Sequence, residues 1–259
     1  IRDYKVTGVQ TCALPISDRN GASTFFAGRV GSDSFADLLT KQLEGSSVNF
    51  SALQVGPGAS GMSVAIVEAS GEYGAAVVSG ENTNINETLI KIPEDTGVLL
   101  LQNEISETVN LEIAKKAKAA GCKVWLNAAP AKKINSAFFS LVDICIVNRV
   151  EAEFYNFIYS NKTHKNLTII KTLGHEGLEL IEPNGKIRKI PAFKVNSISS
   201  HGAGDMFIGA LAARYLIGDT MENALVYAQA AAALFISKAE EERAGMTQRA
   251  VIDFMENNL

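Results

Sequence analysis

An acid flanked by glycines, at the edge of a long apolar run, is the stretch of this chain best suited to chemistry. It reads Ser199-Ser200-His201-Gly202-Ala203-Gly204-Asp205-Met206-Phe207. Gly202 and Gly204 allow backbone angles closed to other residues. Met206, Ala210, Leu211, Ala213 and Leu216 are good helix formers, so the segment predicts a tight turn opening a helix. A helix start leaves N–H groups without internal partners, and its dipole favours an anion. A phosphate would therefore sit on the amides of Gly202 to Asp205. A carboxylate at that spot would be repelled by the phosphate unless it had a task, such as taking the proton of an attacking hydroxyl. The plainer alternative is an acid that only stabilises the dipole of a first helical turn.

Phosphoryl transfer needs an activated oxygen, a cradle for the γ-phosphate, a divalent cation and a nucleotide platform. Asp205 and the amides before it supply the first two. Asn148-Arg149-Val150-Glu151 is a candidate for the third, because Asn148 and Glu151 can face one cavity and hard oxygen ligands suit Mg²⁺, often through its waters. The same four residues also fit an N-cap Asn with a Glu at the third helical position. Thr172-Leu173-Gly174 with Gly177 could hold a nucleotide, or could be an ordinary strand-to-turn signal. Glu104 could bind sugar hydroxyls or begin a helix.

These residues need elements to position them. Residues 25–31 read as a strand ending in a glycine turn, and 33–43 as a helix with Phe35, Leu38, Leu39 and Leu43 at helical spacing. Residues 62–67 and 75–78 suggest a β-hairpin. Apolar strands follow at 98–102, 124–126, 144–147 and 167–171, with helices expected over 107–120 and about 150–159. Gly121 is the expected C-cap of the first of these helices. Two short β segments lie near 178–181 and 187–190, and helices are expected over 206–217, 221 to about 238 and 247 to about 257. Strands alternating with amphipathic helices imply a mostly parallel sheet covered on both faces. Polar residues recur at the strand ends, from Gln102 to Glu104 and at Asn127, Asn148 and Thr172. Open α/β sheets bind ligands at that edge.

Composition narrows the function. With 259 residues, 47% hydrophobic and 20% charged, the chain suits a soluble globular protein with a sizeable core. A net charge of −4 and no basic run argue against a nucleic-acid partner, so any phosphate site must be built locally from amides and a metal. No apolar stretch is long enough to span a bilayer. Cys12, Cys122 and Cys145 lack metal-ligand spacing and suggest reduced thiols in a cytoplasmic protein, with Cys122 and Cys145 as small core residues. No Gly-x-Gly-x-x-Gly follows a strand early in the chain, which argues against a dinucleotide-binding dehydrogenase.

The first residues read differently. Up to about residue 17 there is no helical or strand period, and Val6-Thr7-Gly8-Val9-Gln10-Thr11-Cys12-Ala13-Leu14-Pro15-Ile16 looks like a sequencing-adapter oligonucleotide read in frame. Residues 1–19 are accordingly expected to be a non-native segment, set apart from the fold. The alternative is a native, irregular N-terminal arm.

From about Gly21 onward the chain resembles the ribokinase-like (PfkB) carbohydrate kinase family. Residues 199–210 resemble its C-terminal signature, Asn148-Arg149-Val150-Glu151 its Asn-x-x-Glu motif and Thr172-Leu173-Gly174 its nucleotide strand. Asn127-Ala128-Ala129-Pro130 is similar to its Asn-Pro-Ala-Pro segment, and Gly28-Arg29-Val30-Gly31-Ser32-Asp33 to its early Gly-x-Val-Gly-x-Asp. The resemblance implies a three-layer α/β fold, a mostly parallel sheet flanked by helices, with a small and here incomplete β lid to which 48–78 contributes. It implies one kinase domain over 20–259 whose N-terminal portion is missing.

The resemblance further implies an ATP-dependent sugar kinase acting on a primary hydroxyl. The alternatives are a nucleoside or modified-sugar kinase of the same family, or a catalytically silent binding member. Asp205 is implied as the base and as a substrate contact, Gly202, Ala203 and Gly204 as the anion hole, and Asn148 and Glu151 as organisers of Mg²⁺ and phosphate. Asn148, Thr172, Gly174, Gly177 and Gln229 are implied along ATP, and Glu104 against the sugar. Partners are then a small-molecule sugar and ATP, with a homodimer admitted and neither nucleic acid nor membrane.

Three departures accompany the resemblance. The family's first strand, with its sugar-binding Asp, and its Gly-Gly motif with an Asn are absent from the expected place. Ser199 stands where ribokinases carry an Asp that ligates a monovalent cation, which puts K⁺ activation in doubt. His201 replaces a Thr and is given no catalytic role.

Overall fold

Side-chain alternation along the strands divides the core in two. The computed structural model describes residues 5–8, 13–67, 73–155, 166–243 and 245–258. Successive residues of a strand point to opposite faces. Thus Val98, Leu100, Trp125, Ile144, Ile146 and Ile170 join one buried cluster. Their neighbours Leu99, Leu101, Val124, Leu126, Cys145, Val147 and Ile169 join another. Strands buried on both faces give the continuous apolar runs seen in the sequence.

The main sheet has the order β11-β10-β9-β8-β7-β6-β1-β2-β3. Its strands are β1 (Lys5–Gly8), β2 (Ser23–Val30), β3 (Asn49–Val55), β6 (Thr96–Gln102), β7 (Lys123–Asn127), β8 (Ile144–Val147), β9 (Thr168–Thr172), β10 (Leu178–Ile181) and β11 (Ile187–Ile190). Pairing is parallel from β9 across to β3 and antiparallel only at β9–β10 and β10–β11. The C-terminal ends of β2, β6, β7, β8 and β9 therefore lie along one edge. Strand order reverses between β1 and β6, the kind of place where open α/β sheets bind ligands.

One face carries α1 (Ala13–Arg19), α2 (Ser34–Glu44), α6 (Ala203–Leu216), α7 (Met221–Ile236) and α9 (Gln248–Glu256), all contributing to the first cluster. The other carries α3 (Glu107–Ala119), α4 (Ser136–Phe139) and α5 (Arg149–Phe154). A short α8 (Glu240–Arg243) follows α7. Gly121, at φ +79°, follows the last residues of α3 as a left-handed end. Cys122 and Cys145 are buried in the second cluster, and burial pushes the Cys145 thiol up to about 12, so it stays protonated. Cys12 lies outside the described residues.

The N-terminal stretch is not irregular over its described parts, and here the sequence reading is corrected. Residues 5–8 form a strand parallel to both β2 and β6. Residues 13–19 form a helix whose Ala13 and Leu14 have no exposed surface. Four ladder positions and two helical turns are too short to show a period in sequence. What fixes the helix is a close approach to α6. Ser17 Oγ donates to Gly209 O at 2.9 Å, and a Cβ on Gly209 would lie 2.5 Å from Ala13 O. The non-native origin read from the sequence is a separate matter from this placement.

The β-rich segment 48–78 also divides. Asn49–Val55 pairs with β2 in the main sheet, while β4 (Met62–Val67) and β5 (Tyr73–Val78) form the expected antiparallel hairpin as a sheet of their own. The base of that hairpin is pinned by acids. Asp33 accepts from Ser60 N at 2.8 Å and Ser60 Oγ at 2.6 Å. Glu81, 5% exposed, accepts from Arg29 Nε at 2.6 Å and Gly58 N at 2.9 Å. These bonds hold both carboxyls below the usual carboxylate range: Ser60 is the main cause for Asp33, Arg29 for Glu81. The helix expected over 150–159 is α5, and positions 156–165 lie outside the described residues.

Candidate active site

Gly202 opens α6 in the left-handed conformation, at φ +78°. A side chain there would be strained, which explains the glycine. Gly204 is exposed, and a Cβ on it would meet nothing within 4 Å, so its backbone faces open space. The helix starts at Ala203, three residues earlier than the apolar run predicts, which puts Asp205 in its first turn. Ala203 N donates to Ser200 O at 3.2 Å. Among the described residues the amides of Gly202, Gly204 and Asp205 have no backbone acceptor, whereas that of Ala203, also expected in the anion hole, is engaged. Asp205 is half-buried, and its carboxyl is raised above the ordinary value, first by burial and then by the charge of Glu104, with His201 acting in the opposite sense. That is the direction that suits a general base.

Two clefts meet near this turn, sharing Leu39 and Leu43 in their walls. One, of about 730 Å³, is lined by Asp205, His201, Gly202 and Arg243 together with Asp18 and Arg19 of α1. The other, of about 850 Å³, lies under the β4–β5 hairpin and is lined by Glu104, Lys132, Asn103, Arg29, Asn82 and Glu151 among others. Glu104 is exposed there and accepts from Gln102 Nε2 at 3.0 Å. It does not begin a helix, since the N-cap of α3 is Ser106. Lys132 donates from Nζ to Ile105 O at 2.8 Å, and burial lowers its pKa against the opposing pull of Glu107 and Glu104. A carboxylate and an ammonium on one wall can bind neutral polyol hydroxyls as acceptor and donor.

The loops bearing these groups share one anchor. The Tyr155 hydroxyl accepts from Asn103 Nδ2 at 3.0 Å and Lys132 N at 3.0 Å, and donates to Lys132 O at 2.6 Å.

Asn148 and Glu151 form a complete capping box. Asn148 Oδ1 accepts from Glu151 N at 2.9 Å, and Glu151 Oε2 accepts from Asn148 N at 2.7 Å. Asn148 Nδ2 also donates to Glu151 Oε1 at 2.9 Å. Capping does not remove Glu151 from the cleft, which it still lines; burial raises its pKa despite the bonds from Asn148. Asn148 is exposed, with its amide committed to Glu151. Thr172 ends β9, and Gly174 opens a short 3₁₀ turn at φ +63° with open space around it. Gly177, at φ +94°, is buried, and a Cβ there would lie 2.1 Å from Ile190 O, so close backbone packing accounts for that glycine. Gln229 is buried in α7 and donates to Pro191 O at 3.1 Å. Neither Thr172, Gly174, Gly177 nor Gln229 lines the two clefts described above.

Sequence reasoning passed over Lys132, Arg29 with Glu81, and Arg243. Lys132 lies two residues beyond Pro130 and could have been found from that segment. Arg29 reaches Glu81 across 52 positions and Arg243 reaches His201 across 42, which no local pattern signals.

A mostly parallel, doubly covered sheet, with an acid in the first turn of a glycine-opened helix at its C-terminal edge and a hairpin over the adjoining cleft, defines a ribokinase-like α/β protein. Solved structures share this fold. Ribokinase from Arabidopsis thaliana, determined with ribose and ATP, superposes with a TM-score of 0.87 at 19% identity, covering 99% of each chain. Ribokinase from Thermotoga maritima gives 0.84 at 22% identity, over 99% of this chain and 100% of that one. In sequence, the chain is 28% identical over 257 residues to ribokinase of Haemophilus influenzae, covering 92% of this chain and 83% of the relative. The model of the pfkB family carbohydrate kinases matches residues 4–244, and the chain belongs to that family.

Proposed function

We propose that this chain uses ATP to phosphorylate a primary hydroxyl of a carbohydrate, with Asp205 as the base. The observation that carries the reading is the position of Asp205: half-buried, raised in pKa, in the first turn of a helix where the backbone amides of Gly202, Gly204 and Asp205 are unengaged. Asp205 removes the hydroxyl proton as that oxygen forms its bond to the γ-phosphorus and the bond to the β-bridging oxygen breaks. The amides of Gly202, Gly204 and Asp205 bind the non-bridging oxygens. Glu104 and Lys132 orient the sugar hydroxyls, and Thr172 and Gly174 lie along the nucleotide. Gln229 and Gly177 act at one remove, by shaping the 190–192 backbone.

Among the described residues no group of three His, Cys, Asp or Glu side chains could enclose a metal ion. That suits Mg²⁺, which keeps several waters and is bound mainly through phosphates and one or two carboxylates. Glu151 is the carboxylate that fits, held in place by Asn148. Mg²⁺, when bound, neutralises charge on the phosphates. Ribokinase and deoxyribokinase relatives support a pentose-like acceptor. No helix among the described residues is long and apolar enough to cross a membrane.

A panel of sugars and nucleosides with MgATP, scored by ADP release, tests the activity and the acceptor. Asp205→Asn is expected to keep ATP affinity and lose about 10²–10⁴-fold in kcat, the usual contribution of a positioned base. A variant that retains most of its turnover would remove Asp205 from the mechanism.

A further inference from the structure

Three main-chain carbonyls around the phosphate cradle converge on one guanidinium. Arg243 Nη2 donates to Ser199 O at 2.9 Å, Nη1 to His201 O at 3.3 Å and Nε to Lys238 O at 3.1 Å. Arg243 is 9% exposed, and its Cζ lies 4.6 Å from the centre of the Phe235 ring. That ring sits beneath the turn, 3.1 Å from where a Gly202 Cβ would be. Ile198 N donates to Ile236 O at 2.8 Å, so the loop is held from α7 as well. Converging carbonyls are the chemistry of an alkali-metal site, and the family resemblance implies a monovalent cation beside residue 199. The residues present do not fit one: Ser199 brings no carboxylate, and a fixed positive charge already holds the carbonyls of Ser199 and His201.

We propose that Arg243 is the resident cation of this turn, a positioning residue that sets Gly202 and the cradle amides and makes the enzyme indifferent to K⁺. The planar fork of a guanidinium spans several acceptors in fixed geometry, which a spherical ion does without a covalent tether. The argument about turnover rests on the kinase reading above; the argument about the cation does not.

The test measures kcat, ATP KM and melting temperature of the full chain with K⁺, Na⁺ or tetramethylammonium as the sole monovalent cation at equal ionic strength. Wild type is expected to give the same values in all three. Arg243→Ala is expected to lose about 10²-fold in kcat, as for a misplacement of about 1 Å, with a smaller change in KM. Part of its kcat and melting temperature should return with K⁺ but not with tetramethylammonium. K⁺ stimulation of the wild type, Arg243→Ala with full kcat, or a slow folded Arg243→Ala indifferent to K⁺ would each overturn the proposal. Should Arg243→Ala not fold, Arg243→Lys keeps the charge without the fork and is expected to fold with intermediate kcat; wild-type kcat there overturns the role of the fork. A chain that transfers no phosphate to any acceptor defeats the kinase reading alone, and the melting temperatures in the three salts then decide the cation proposal.

Discussion

Gly209→Ala offers a test whose sign alone is informative. Gly209 lies inside α6, where replacing glycine by alanine on an open helix face stabilises by about 0.5–1 kcal/mol. Here the face is closed by α1. The new Cβ would lie 2.5 Å from Ala13 O, 2.7 Å from Ile16 Cγ2 and 2.8 Å from Ile16 Cβ. Real Cβ atoms do not approach so near, and the first of these neighbours is backbone, so α1 must shift. Overpacking of this kind costs about 1–3 kcal/mol. The shift would also stretch the buried Ser17–Gly209 bond of 2.9 Å, worth about 0.5–1.5 kcal/mol. Against the helix gain, a net loss of about 0.5–4 kcal/mol remains, or a fall in melting temperature of about 1–16 °C for a domain of this size. Thermal and urea unfolding followed by circular dichroism would measure it. A rise in melting temperature would show that nothing rests on Gly209, and the docking of residues 13–19 on α6 would be refuted.

Two other expectations follow from the acids. The raised pKa of Asp205 places the acid limb of the kcat/KM profile above the ordinary carboxylate range, and the limb should vanish in Asp205→Asn. The same shift penalises the folded state fully above the folded pKa, and the penalty is relieved as pH falls through it. Asp205→Asn should therefore melt higher than wild type at neutral pH, with the gap closing toward acid; a variant that melts lower would contradict the burial argument. Glu81 has the opposite sign. Its contribution is present above the ordinary carboxylate range and is lost as pH falls through its depressed folded value. Glu81→Gln weakens the bonds to Arg29 and Gly58 that fix the base of the β4–β5 hairpin, and should raise acceptor KM more than it lowers kcat. An unchanged KM would show that the hairpin base does not shape the acceptor cleft.

The sheet and its edge were legible because they are local. Strands such as 98–102 and 144–147 are continuous apolar runs, and Asn127, Asn148 and Thr172 mark where each one stops. Asp205 was legible because its two glycines and the following helix formers sit side by side. The capping box at Asn148 and Glu151 was readable as one of two alternatives, and the bonds between them now account for both residues' spacing. Strand β3 was not legible as part of the main sheet: it is an edge strand, with no residue of its own in the fully buried set. The start of α6 was placed late because Ala203 and Gly204 precede the apolar run. Arg243 could not be found, because two of its three acceptors, Ser199 O and His201 O, come from a loop more than forty residues earlier. The placement of residues 5–8 and 13–19 depends on neighbours, β2, β6 and α6, that no short window contains.

The single hydroxyl of Tyr155 reaches loops that leave β6 and β7 while its own backbone follows the exit of β8. Three strand exits are thus tied to one oxygen. A drift in acceptor preference by replacing one loop would have to carry the others with it, so variation in this wall of the pocket should come as matched sets rather than as independent exchanges.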